Sequence, residues 1–185
     1  MQLLIATRLS AQCTDVRVNQ VSGELFDTFK TADDFANADV TDIERIIKPC
    51  GLYKTKARDI KNMCAMLTEK LGGNIPDSID GLTALPGVGR KTANLVVGEV
   101  FSKPAVVADT HCIRLSNRLG LCDTKDPAKV EKALRALLPS EESLGFCHRL
   151  VYHGRRVCTA RSPACSGCIL RPICPYGKEA ASVRK

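Results

Sequence analysis

Leu85-Pro86-Gly87-Val88-Gly89-Arg90-Lys91-Thr92-Ala93 decides how this chain is read. The stretch before it, Ile79 to Leu85, is short, helical in its apolar spacing and stopped by Pro86-Gly87. The stretch after it, Arg90 to Phe101, is apolar on most sides and reads as a buried helix, because its valines lack the alternation of a strand. A Gly-x-Gly turn between two such helices makes a helix-hairpin-helix over residues 79–101. Both glycines are expected to serve two needs: backbone angles closed to other residues, and close approach of backbone N–H groups to a ligand. With the N-terminus of the following helix, those N–H groups form an anion site. Gly87, Val88, Gly89 and Arg90 are the candidate contacts.

Outward from the hairpin the pattern stays helical, and the fold class is all-α. Leu3, Leu4, Ile5 and Leu9 open the chain on an apolar face, and Val16 to Phe29 repeats at helical spacing. Thr41-Asp42-x-Glu44 predicts a cap for a short helix through Ile47, and Thr55 to Leu71 predicts a longer one stopped by Gly72-Gly73. Asp109-Thr110 caps a helix through Leu119, Pro127 opens another to Leu138, and a last helix runs from about Glu141 to Val157. No hairpin of strands, internal repeat or low-complexity stretch appears.

Four cysteines follow that last helix as Cys158-x6-Cys165-x2-Cys168-x5-Cys174. Four thiolates in so short a span can converge on one object. A [4Fe–4S] cluster takes four cysteines, and so does structural zinc. Zinc more often uses two Cys-x-x-Cys knuckles, and only one is present, which favours the cluster. A disulfide framework is the third reading. Cys13, Cys50, Cys64, Cys112, Cys122 and Cys147 are scattered through helical segments, which argues against it and makes them small core residues.

The net charge of +7 is unevenly placed. Residues 154–185 hold seven basic side chains, Arg184 and Lys185 among them, against Glu179 alone, while the rest of the chain is nearly balanced. A polyanion is the expected partner, with Arg161 on the loop between the first two cysteines as a contact. No apolar run approaches the ~20 residues that span a bilayer, so no membrane role is expected.

Lys91 lies in the first turn of the apolar helix after the hairpin, where the macrodipole disfavours a cation. A partly buried lysine there is a candidate nucleophile. Asp109 opens the next helix and could stabilise positive charge at a sugar carbon or move a proton. The alternatives are a phosphate-contacting lysine and a plain N-cap.

LPGVGRKTA (85–93), VADTH (107–111), HGRRVC (153–158) and the cysteine spacing, with LLIATRLSAQCTD (3–15) and CGLYKTKA (50–57), resemble endonuclease III, a family of helix-hairpin-helix DNA glycosylases. The resemblance covers essentially the whole chain in the family's order. It implies two helical lobes with duplex DNA bound in the groove between them, and a [4Fe–4S] cluster. It also implies a monomeric bifunctional glycosylase and AP lyase, and a compact sequence without a targeting segment sets the expected location as cytoplasmic, at a bacterial nucleoid. Its partner would be double-stranded DNA carrying an oxidised pyrimidine, such as thymine glycol, or an abasic site. By the same resemblance Lys91 is the Schiff-base nucleophile and Asp109 the catalytic aspartate. Gly87, Val88 and Gly89 hold phosphate, Gln12 and Leu52 enter the duplex, and His111 lines the pocket. Cys158, Cys165, Cys168 and Cys174 ligate the cluster.

The expected division is a start at 1–12 that opens inside the family's second helix, a hairpin lobe at 13–108 and a cluster lobe at 109–185. The last comprises a cluster loop at 158–174 and a basic tail at 175–185. An exposed apolar patch on the cluster lobe is a further expectation. Two other readings compete. An adenine glycosylase of the A/G-mismatch type usually lacks the lysine and carries an added C-terminal domain. A non-catalytic docking module would keep the hairpin and cluster and bind DNA without cutting it.

Overall fold

The structure is a computed structural model that describes residues 1–182, so Arg184 and Lys185 of the basic tail lie outside it. The described residues form helices and turns, with no strand among them. In chain order the helices are α1 (Gln2–Leu9), α2 (Asp15–Thr28), α3 (Ala32–Asn37), α4 (Val40–Ile47), α5 (Tyr53–Leu71), α6 (Ile79–Thr83), α7 (Arg90–Phe101), α8 (Thr110–Arg118), α9 (Pro127–Leu137), α10 (Ser143–Arg156) and α11 (Pro175–Ser182). The chain divides into two compact units, Met1–Val97 and Gly98 onward. No described helix is long and apolar enough to cross a membrane.

In the first unit α5 is the central element, packed by α3, α4 and α1. Its apolar face buries Ala57, Ile60, Met63, Cys64 and Leu67, and Leu4, Ile5, Phe35, Ile43 and Ile47 close the core around it. Gly72 ends α5 at φ 59°, the left-handed C-cap expected of a glycine there. Three local expectations change. Asp39, not Thr41, caps α4, its carboxylate accepting the Thr41 N–H at 2.9 Å. α5 starts at Tyr53, two residues before the expected start. α3 was not anticipated, although a reciprocal capping box of Thr31 and Asp34 starts it and Phe35 docks it against Phe29.

The second unit is built on the α8–α10 pair, which packs closely because Gly154 lacks a Cβ. A Cβ there would lie 2.5 Å from His111 Nδ1. Asp126 caps α9 with Pro127 in its first turn. The expected helix from Glu141 is a 3-10 turn, Ser140–Glu142, leading into α10. Among the described residues, no apolar side chain beyond Leu150 is buried. Ile169 and Ile173 are 87% and 71% exposed, and they border an open apolar groove with Leu119, Leu121, Phe146 and Leu150.

Candidate nucleic-acid and cluster sites

The hairpin residues do different jobs. Gly87 sits at φ 74°, and a Cβ on it would lie 2.9 Å from Arg8 Nε and from Asp59 Cβ. Those two side chains form an ion pair of 2.6 Å between α1 and α5, so the turn rests on a charged brace. Gly89 has neither constraint: its φ is ordinary and nothing lies within 4 Å of a Cβ built on it. The expectation of unusual angles at both glycines is therefore corrected: it holds at Gly87 and not at Gly89. Val88 is buried, and its N–H is spent on the Leu85 carbonyl at 3.2 Å. Arg90 and Lys91 are exposed in the first turn of α7. Lys91 was expected to be partly buried, and it is not.

Gln12 and Leu52 stand out by backbone. Both are exposed, and both hold left-handed conformations, φ 54° and 49°. Such angles are costly for side chains with a Cβ and mark turns that fix a side chain's direction.

In the second unit Asp109 caps α8, its Oδ1 accepting the Cys112 N–H at 2.7 Å. The capping reading is thus realised. His111, half-buried in the first turn of α8, lies 3.0 Å from Arg114 Nη2 and packs against Gly154.

Cys158, Cys165, Cys168 and Cys174 all line one cavity, together with Leu115, Arg118, His153, Leu170 and Tyr176. This donor set suits an iron–sulfur cluster. The four residues line the same cavity, while among the described residues no three His, Cys, Asp or Glu side chains converge on a single-ion site. A cavity lined by all four fits a multi-atom cluster, whose ligands stand farther apart than those of one zinc ion. Arg161 is exposed on the loop between Cys158 and Cys165.

Several residues that work here were not singled out from sequence. Arg118 donates to Cys158 Sγ at 3.1 Å and to the Thr159 and Ala160 carbonyls at 2.8 and 3.0 Å, and stacks over Tyr176. Arg114 donates to the carbonyls of Gly154 and Cys158. The signal was present: arginines four apart on one face of α8 facing a cysteine loop. His153 Nε2 lies 3.5 Å from Cys168 Sγ. All ten cysteines are free. Burial raises the Cys64 thiol to about 12, and the Cys112 thiol is raised by its hydrogen bond with Cys147 and by burial, as inert core cysteines require.

The family described as HhH-GPD superfamily base excision DNA repair protein matches residues 5–140, and the iron–sulfur binding domain of endonuclease III matches residues 158–174. Endonuclease III of Bacillus subtilis (strain 168) is 43% identical over 179 residues, covering 96% of this chain and 82% of that protein. The Escherichia coli (strain K12) endonuclease III is 40% identical over 175 residues, covering 95% and 83%. A solved structure of a trapped endonuclease III–DNA covalent intermediate, an estranged-adenine complex, is similar at TM-score 0.90 and 46% identity, over 97% of this chain and 84% of that one. The cofactor that goes with this match is a [4Fe–4S] cluster. With hairpin, cysteine cavity and sequence in agreement along nearly its whole length, this chain belongs to the endonuclease III family of base-excision DNA repair proteins.

Proposed function

We propose that the protein is a bifunctional DNA glycosylase and AP lyase that removes oxidised pyrimidines from duplex DNA. The observation that carries this reading is Lys91. It stands exposed in the first turn of α7, directly after the Gly87–Gly89 turn, and a structure 46% identical to this chain is a covalent DNA intermediate. An amine is the group the chemistry requires, because neither a hydroxyl nor water can form an imine.

The damaged nucleotide leaves the stack at a cost of a few kcal/mol, least for a lesion that stacks poorly. Gln12 and Leu52, exposed on left-handed turns, enter the duplex and offset part of that cost. The Lys91 Nζ lone pair attacks C1′, the C1′–N bond breaks and the base leaves with a proton. The sugar ring opens to an imine on Nζ. The imine acidifies C2′, and loss of the C2′ proton expels the 3′ phosphate and cuts the strand. Asp109 stabilises positive charge at C1′ and takes part in proton transfer. Gly87, Gly89 and Arg90 contact phosphate, with Val88 buried as the turn's anchor, and His111 borders the base pocket. Cys158, Cys165, Cys168 and Cys174 ligate the cluster. The cluster folds the loop on which Arg161 meets the DNA backbone. The enzyme acts as a monomer on nucleoid DNA.

The test is product analysis on duplexes carrying one thymine glycol, one abasic site or one A/G mismatch. Expected is base release from thymine glycol with a β-elimination end, loss of both with Lys91→Ala, and an intact mismatch strand. Cleavage at the mismatch, or binding without cutting any duplex, would overturn the assignment.

A further inference from the structure

Lys56 has no part in the chemistry above, yet it is fully buried, with 0% of its surface exposed. An apolar side chain would fill the same space, so the ammonium must serve another end. Its Nζ donates to the Leu9 carbonyl at 2.7 Å and to the Cys50 carbonyl at 2.9 Å. Leu9 ends α1, three residues before Gln12, and Cys50 lies two residues before Leu52. The Lys56 backbone N–H also donates to the Leu52 carbonyl at 3.0 Å.

The two turns so joined hold Gln12 and Leu52, two of the three non-glycine residues with positive φ among those described, and Gly51 adds a third positive φ at 65°. Strained turns persist only where the surroundings over-determine them. Beside Lys56, burial first and the neighbouring Cys13 thiol second push the Cys50 thiol up to about 11. Burial likewise pulls Lys56 below the ordinary lysine range, as a group enclosed on all sides requires.

We infer that Lys56 is a positioning residue for duplex opening: through the carbonyls of Leu9 and Cys50 it holds the Gln12 turn and the Leu52 turn at one fixed spacing. The inference rests on the reading that Gln12 and Leu52 enter the duplex. Two wedges set in advance need no ordering when they meet DNA, and a displaced wedge leaves the target nucleotide incompletely extruded.

A thermodynamic cycle tests this. Single-turnover base release from a thymine-glycol duplex is measured for the cluster-loaded wild type, Lys56→Met, Gln12→Ala/Leu52→Ala, and the triple variant. Lys56→Met is expected to slow release roughly 10- to 100-fold in the wild type, the scale of a small misplacement far from the reacting atoms. It should change the rate less than about twofold where both wedges are already gone, because non-additivity marks groups that act together. An equal loss in both backgrounds would mean general damage and overturn the inference, as would a wild-type rate for Lys56→Met. A wild-type rate for the double wedge variant would instead sink the insertion reading, and the inference with it. If Lys56→Met does not fold, Lys56→Gln, which keeps one donor, replaces it in the cycle. Amide exchange should then quicken at Gln12, Gly51 and Leu52, whereas uniform quickening would count against the clamp.

Discussion

The first unit and the cluster segment solve the same problem by opposite means. In Met1–Val97 the working turns rest on buried groups: Gly87 on the Arg8–Asp59 pair, the Gln12 and Leu52 turns on Lys56, and all of them on the α5 core. From Cys158 to Glu179 no apolar side chain is buried. There the backbone is held by guanidinium groups from α8 and by whatever the four thiols share. A turn braced by a core keeps its shape alone, whereas a loop with no core of its own depends on its ligand.

The sharpest way to break this contrast is to remove the cluster. Metal binding free energy is folding free energy where no preformed core exists. Chelation after oxidation should open residues 158–179 to protease while residues 1–97 stay resistant, as limited proteolysis with mass mapping would read. Equal loss of both units would refute the contrast.

Next come the two hairpin glycines. Gly87→Ala must place a Cβ at φ 74° against the ion pair, and should cost about 1–3 kcal/mol for the strained angle. Gly89→Ala meets open space and should leave stability within about 0.5 kcal/mol, as surface changes do, while weakening DNA binding. Denaturant melts and duplex titrations check both; equal stability losses would remove the distinction.

Arg118→Ala leaves the carbonyls of Thr159 and Ala160 and the Cys158 sulfur without their donor. Hydrogen bonds from charged groups contribute roughly 1.5–3 kcal/mol each, so cluster loss should be faster, followed by its visible absorbance. An unchanged rate would show that the cysteines alone hold the loop.

The smallest effect is at α3 and α4. Hydrogen bonds from Thr31 lower the Asp34 carboxyl, and those from Thr41 lower Asp39. A carboxyl lowered in the folded state contributes stability present above the ordinary carboxylate range and lost as pH falls through the folded value. Asp34→Asn should therefore flatten the acid side of the Tm-against-pH curve slightly, without altering the neutral plateau's shape.

What was legible in the sequence follows from how local each signal is. The helix-turn-helix around Gly87, the Asp109 cap and the gathering of the four cysteines at one cavity are each written within a few residues, although only one of the two hairpin glycines has the expected backbone angle. α3 was also local, since Thr31-x-x-Asp34 is a capping box, but six residues give too little periodicity to be noticed. Lys56 was not legible, because a lysine on a long helix reads as solvated until the two carbonyls that receive it are brought from 47 and 6 residues away. The exposure of Lys91 runs against an expectation drawn from its apolar helix. Helix composition predicts a buried face, not which first-turn side chain points away from it.

The central claim is that Lys91 is the nucleophile. Borohydride trapping on a thymine-glycol duplex tests it most directly, with the adduct digested and mapped by mass spectrometry. The account predicts a covalent protein–DNA species carried on Lys91 and lost in Lys91→Ala. An adduct mapped to another amine, or none from cluster-loaded wild type that binds the duplex, would contradict it.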